Sequence, residues 1–125
     1  MTNKILTGAY AGGYTLSHSF TGVVVEASSS VGGTGVVAGF KAQVTNYGAI
    51  RGVTLTAGGT VTNGSAAATN AMINTGGIVA RFAAATVINY GTIVAPIYLR
   101  FGGVVTNATS GHIDEAIVVN HAPGA

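Results

Sequence analysis

Short runs in which every second residue is apolar recur along the chain, as in Val53-x-Leu55-x-Ala57 and Ile97-x-Leu99-x-Phe101. Alternation with period two marks strands with one buried face, and the runs are brief, roughly three to five residues each. They are copies of one phrase: an apolar-x-apolar stretch, a Gly-rich corner, Val-Thr-Asn, and a second corner ending in Ile. The phrase reads Gly35 to Phe40 with Val44 to Ile50, Gly52 to Gly59 with Val61 to Asn63, Gly77 to Phe82 with Val87 to Ile93, and Ile97 to Gly103 with Val105 to Asn107 and Ile113. A last half copy opens at Ala116-Ile117-Val118-Val119. Asn46, Asn63, Asn89 and Asn107 lie 17, 26 and 18 residues apart, the long interval holding the insertion Gly64 to Met72.

Three short strands in a repeat of about 20 residues can bury their apolar faces only if the chain coils, with equivalent strands stacking in parallel about 4.8 Å apart. The pattern therefore predicts an all-β fold, a parallel β-solenoid of about five to six rungs. A sandwich of short alternating strands would not repeat one phrase at this spacing. Stacking requires equivalent inward positions to form columns. Four aliphatic ones can be written: Val36, Val53, Ile78, Ile97, Ile117; Ala38, Leu55, Ala80, Leu99, Val119; Val44, Val61, Val87, Val105; and Ile50, Ile73, Ile93, Ile113. A fifth, Phe40, Ala57, Phe82, Phe101, His121, alternates bulky and small in part, as a packed interior would. The boundaries are one domain over 1–125, with 1–34 as an N-terminal rung or cap, 35–121 as repeats and 122–125 as a tail. Tyr14, Leu16, Val23, Val25 and Val31 are placed in a first turn. Only Gly64 to Met72 has the composition for a turn or two of helix.

Composition narrows the function. Of 125 residues 48% are hydrophobic, 20 are Gly and only 6% are charged, against about 25% charged in an average soluble domain. Disorder is excluded, since disordered chains have the opposite composition. Gly, Thr, Ser or Asn interrupts every apolar run, so no transmembrane helix is expected. Lys4, Lys41, Arg51, Arg81 and Arg100 are scattered and form no basic patch, which argues against nucleic acid as a partner. With no Cys there is no disulfide and no thiolate chemistry. The N-terminus runs from Lys4-Ile5-Leu6 directly into Thr7-Gly8-Ala9, too short and broken for the apolar segment of a signal peptide, so export would use another route or a signal outside this sequence.

Catalysis is not expected. Polysaccharide-active β-helices need several carboxylates on one face, and the acids here are Glu26, Asp114 and Glu115, the last two adjacent in a corner. His18, His112 and His121 fall too far apart in the repeat to share a site, and no nucleophile stands beside His112. No metal site and no cofactor is expected. The recurring Asn46, Asn63, Asn89 and Asn107 read as a structural ladder of stacked amides. Asn63-Gly64-Ser65 and Asn107-Ala108-Thr109 fit the glycosylation pattern only because their first residues belong to that ladder.

Outward positions carry more. Val37, Thr54, Val79, Tyr98 and Val118 form a mostly apolar stripe, flanked by Gly39, Thr56, Arg81, Arg100 and Asn120; an exposed stripe of this kind marks contact with another copy or another part of a longer chain. Thr45, Thr62, Ile88 and Thr106 form a second outward column, similar to the flat Thr arrays that order water but interrupted by Ile88. The last strand exposes Ile117 and Val119 to end-stacking, with Pro123 the one edge breaker, and head-to-tail stacking of copies would give a filament.

Repeats such as Ala57-Gly58-Gly59-Thr60-Val61-Thr62-Asn63 and Gly102-Gly103-Val104-Val105-Thr106-Asn107 resemble those in the passenger regions of large bacterial autotransporter and haemagglutinin-like surface proteins. The similarity covers residues 35–120 and is compositional. It implies a right-handed parallel β-helix and a place at the cell surface or outside the cell, in a fragment of something longer or a small free-standing relative. The expectation is a non-enzymatic structural protein, a filament subunit or passenger segment forming a homo-oligomer or filament through exposed ends and the apolar stripe. The alternative is a carbohydrate-binding adhesin module using Tyr47, Tyr90 and Tyr98 as stacking platforms.

Overall fold

The structure, a computed structural model, describes residues 2–119. Six rungs follow one another along the chain. The first holds β1 (Thr2–Leu6), β2 (Ala9–Tyr10) and β3 (Tyr14–Thr15), and the second holds β4 (Phe20–Val25), β5 (Ser30–Val31) and β6 (Val36–Ala38). The third has β7 (Ala42–Asn46) and β8 (Ala49–Leu55), the fourth β9 (Gly59–Asn63) and β10 (Met72–Ala80). The fifth comprises β11 (Ala85–Asn89), β12 (Thr92–Ile93) and β13 (Ile97–Leu99), the sixth β14 (Gly103–Asn107), β15 (His112–Ile113) and β16 (Ile117–Val119). All strand pairs between rungs are parallel. One face is the six-stranded sheet β1-β4-β7-β9-β11-β14, while β8 and β10 bend so that each contributes to both remaining faces. The fold is the expected β-solenoid.

The register reproduces the four aliphatic columns residue by residue. Val36 pairs with Val53, Val53 with Ile78, Ile78 with Ile97 and Ile97 with Ile117. Ile50, Ile73, Ile93 and Ile113 stack likewise, as do Val44, Val61, Val87 and Val105. Val36, Leu55, Ile78, Ile97 and Leu99 are completely buried, and burying a side chain of this size contributes about 1.5–3 kcal/mol. At one corner Ala42, Gly59, Ala85 and Gly103 alternate. Gly59 and Gly103 have φ of 131° and 136°, and a Cβ on either would collide with the carbonyl oxygen of Ala42 or Ala85. Packing rungs this closely thus demands Gly there.

Three expectations are corrected. Residues before position 35 do not make one rung: Tyr14 and Leu16 belong to the first, Val23, Val25 and Val31 to the second, and both rungs share the columns of the later ones. The insertion forms no helix; Ser65 and Ala68 exchange backbone hydrogen bonds of 3.1 and 3.0 Å in a tight antiparallel loop. The Phe40, Ala57, Phe82, Phe101 slot is not interior, since Phe82 is 66% exposed and the others are half-buried; the chain turns a corner there, which breaks the alternation. His121 lies outside the described residues.

Candidate association surfaces

The side chains of Asn46, Asn63, Asn89 and Asn107 point inward and form one chain of hydrogen bonds. Asn46 Nδ2 donates to Asn63 Oδ1 at 2.8 Å, Asn63 to Asn89 at 2.9 Å and Asn89 to Asn107 at 2.9 Å. Each interior amide also donates to two corner carbonyls: Asn46 to Gly48 and Met72, Asn63 to Ala71 and Thr92, Asn89 to Gly91 and His112. Asn46, Asn63 and Asn89 are completely buried, and among the described residues every buried side-chain polar atom has a partner. The ladder has a direction: every donor points toward the C-terminal rung. On the other side the same column continues as Val25 and then Leu6, both fully buried.

On the outer side of the face built from β3, β6, the second halves of β8 and β10, β13 and β16, Val37, Thr54, Val79, Tyr98 and Val118 stand in one unbroken column. Tyr98 is 40% exposed and the other four are half-buried. Next to it, Thr56, Arg81 and Arg100 each donate their backbone N–H to the rung above, which puts both exposed Arg side chains on the same edge of the stripe. The Arg81 guanidinium lies 5.8 Å from the Phe82 ring centroid. Asn120 lies outside the described residues. Thr45, Thr62, Ile88 and Thr106 stack on the outer side of the first face beside Gln43, Thr60, Thr86 and Val104.

The two ends differ. At the N-terminal end the inward positions are Lys4, Leu6, Tyr10, Tyr14 and Leu16, bulkier than the residues below them. Leu6 and Leu16 are buried although they lie in the terminal rung. Tyr10 meets Tyr14 edge-on at 6.0 Å, and both pack on the core. Burial, helped by the neighbouring Tyr10, raises the Tyr14 phenol above its usual value of 10.0. Lys4 is on the same side as Val23, and its Nζ sits 5.9 Å from the Phe20 ring centroid, so its stem crosses the end of the core. In the sixth rung Ile117 is 45% and Val119 41% exposed, Val105 and Ile113 are half-buried, and among the described residues Asn107 Nδ2 donates to Gly111 O at 3.0 Å. Of these, Tyr14 and Leu16 are expected in a first turn from the sequence, whereas Lys4, Leu6 and Tyr10 are not; the inward alternation Lys4-x-Leu6 ahead of the Thr7-Gly8 corner is the signal that marks them.

The other candidates are spread out. Tyr47 and Tyr90 occupy one column, separated by Gly64, and both are half-buried. Tyr47 lines a groove of about 460 Å³ with Ser28, Ala68, Asn70 and Met72, whereas Tyr90 and Tyr98 do not. Asp114, Glu115, His18 and His112 are exposed, His18 lying edge-on to Phe40 at 4.4 Å. Among the described residues no three His, Cys, Asp or Glu side chains cluster to hold a metal ion, and no helix is long and apolar enough to cross a membrane. No protein family, curated protein or solved structure matches the chain.

Proposed function

We propose that the chain is a non-enzymatic structural module, a self-associating β-solenoid of a bacterial surface or extracellular assembly, in which rods meet side by side. The observation that carries this reading is the unbroken outward column from Val37 to Val118, apolar except for Thr54 and with Tyr98 its most exposed member. A flat stripe of this kind removes apolar area from water when two rods align, at about 25 cal/mol per Å². The flanking Arg81 and Arg100 discourage misaligned pairing by like-charge contact. Sedimentation velocity is the test: the wild-type chain is expected to associate with rising concentration, and Tyr98→Lys to remain monomeric with unchanged circular dichroism. A wild type that stays monomeric at all concentrations, or a Tyr98→Lys variant that associates equally, removes the reading.

A second reading, binding of neutral carbohydrate, is favoured by the groove at Tyr47. One aromatic ring, the Asn70 amide, the Ser28 hydroxyl and Met72 line it, and no charged side chain does. Such a set suits an uncharged sugar ring.

A further inference from the structure

We infer that the face built from β2, β5 and the first halves of β8 and β10 carries one continuous cleft for an acidic oligosaccharide, which sets a neutral ring on Tyr47 and a carboxylate on Arg51. This rests on the carbohydrate reading of the Tyr47 groove and adds to it the other half of the site and the charge of the ligand.

The cleft exists because the fourth rung departs from the repeat twice on this face. Over the first four rungs the outward column reads Ala9, Ser30, Ala49, Met72, so three small side chains run up to one long one that is 37% exposed. Just before Met72 the chain makes the excursion Gly64 to Asn70. Just after it, β10 sets Asn74, Thr75 and Gly76 against the single residue Arg51 of β8, because Ile73 pairs with Ile50 and Gly77 with Gly52. The surplus residues have to leave the plane of the sheet, and bulges of this sort re-aim side chains beside functional sites. Insertions in a solenoid likewise collect on the face that binds. The fourth rung therefore stands as a wall over a floor of small side chains.

Two grooves lie against that wall, of about 460 and about 410 Å³, sizes that receive a small ligand. The first is the Tyr47 groove, walled by Ala68, Asn70 and Met72. The second is walled by Asn74 and Thr75 and floored by Ala9, Ser30 and Gly32, with Arg51 beside them. Ala49 lines both, so they meet on the third rung. Tyr47 and Arg51 are four residues apart along the chain, at most about 13 Å, a span longer than one sugar ring. An aromatic face at one end suits the apolar side of a sugar, and the amides of Asn70 and Asn74 with the hydroxyls of Ser30 and Thr75 suit its hydroxyl groups. Among the lining residues Arg51 alone is charged, and its side chain is exposed. A guanidinium takes a carboxylate in a planar, paired contact. A polyphosphate chain would require more cations than this one. An extended peptide finds no free strand edge here, since β8 and β10 are paired on both sides.

Isothermal titration calorimetry of the wild-type chain is the test, with two probes that join a carboxylated ring to a neutral one: a hyaluronan tetrasaccharide and sialyllactose. Each is compared with its methyl ester, which keeps the rings and removes the charge. At least one free acid is expected to bind about tenfold tighter than its ester, the effect of one charge-assisted contact, and this advantage should shrink as salt rises. Arg51→Gln, at an exposed position, should bring acid and ester to equal affinity while leaving the ester as it was. Ala49→Phe fills the place where the two grooves meet and should remove the acid's advantage as well. Tyr47→Leu, which keeps an apolar side chain but no aromatic face, should weaken acid and ester alike, with circular dichroism establishing that each variant is folded. Equal binding of acid and ester by the wild type overturns the acidic ligand and leaves the Tyr47 groove as a neutral sugar site. An advantage that survives in folded Arg51→Gln or Ala49→Phe, or binding unaltered in Tyr47→Leu, overturns the cleft. If neither acid nor ester binds, the cleft and the carbohydrate reading fall together.

Discussion

The ladder column holds two chemistries in one rod, and the contrast shows what each Asn contributes. Leu6 and Val25 fill the same inward slot without a polar atom, so the slot itself does not demand an amide. From Asn46 onward the amides also fasten the corners, each donating to a carbonyl of its own corner that in turn accepts a backbone N–H from the next rung. Removing an interior member therefore strands its neighbours, whereas removing the last strands little. Asn63→Leu is expected to lower unfolding stability by about 3 kcal/mol and Asn107→Leu by about 1 kcal/mol or less, measured by urea denaturation. Equal losses at the two sites would mean that the amides act independently. Tyr14 offers a pH test at the same scale. Its phenol titrates above the ordinary 10.0 in the folded rod, chiefly through burial. The folded state thus holds the proton more tightly than the unfolded one, and the stabilisation present below pH 10 is lost as pH rises through the folded value. Tyr14→Phe should flatten the alkaline limb of a thermal-melting profile; an unchanged limb would place the alkaline loss elsewhere.

At the scale of the element, the corners following the ladder show how freely the rung varies. Asn46-Tyr47-Gly48 and Asn89-Tyr90-Gly91 turn with one residue between Asn and Gly, and Ala71 takes the Gly position in the fourth rung, accepting from Asn63 as Gly48 accepts from Asn46. Gly64 to Asn70 is therefore an insertion at a single point, leaving β9 in register with β7 and β11, and Met72 and Ile73 in register with Ala49 and Ile50. Replacing Gly64 to Asn70 by one Tyr should keep the circular dichroism unchanged and the melting temperature within a few degrees, because shortening a surface loop changes closure entropy only slightly. The same change removes Ala68 and Asn70 from the Tyr47 groove, so sugar binding measured by calorimetry would disappear if that groove is a site.

Much of this is legible in the sequence. Columns such as Ile50, Ile73, Ile93, Ile113 follow from a two-residue alternation tied to a repeated phrase, because stacking in parallel leaves one register that keeps them all inward. What alternation could not supply is the place where a strand stops. Phe40, Phe82 and Phe101 continue the period on paper, but the backbone bends between faces and carries Phe82 out to solvent. The first rung lacks the phrase altogether, so Lys4 and Leu6 could be aligned only through their pairing with Val23 and Val25. The corner carbonyls that complete the ladder come from residues 23 to 29 positions away, a proximity that depends on the coil itself.

At the scale of the whole molecule the rod is a stack in which each rung touches only its neighbours, so stability approximates a sum over rungs and the junctions between them. In such a sum the two ends are not equivalent, and truncation separates them. Deleting residues 102–125 removes the sixth rung and leaves Val87, Ile93, Ile97 and Leu99 at the boundary. Its cost is one rung and one junction. Deleting residues 1–18 also removes one rung and one junction, but it replaces an end closed by Lys4, Tyr10, Tyr14 and Leu16 with one that bares Val23, Val25, Val31, Val36 and Ala38. The second truncation should therefore be the more destabilising by about 3 kcal/mol, the burial of roughly two aliphatic side chains. It should also aggregate, because the new first rung has no inward charge and Phe20 alone in place of the Tyr10–Tyr14 pair. Urea denaturation and light scattering of the two truncations provide the comparison. If both lose the same stability and both stay monodisperse, the first rung is an ordinary repeat and closes nothing.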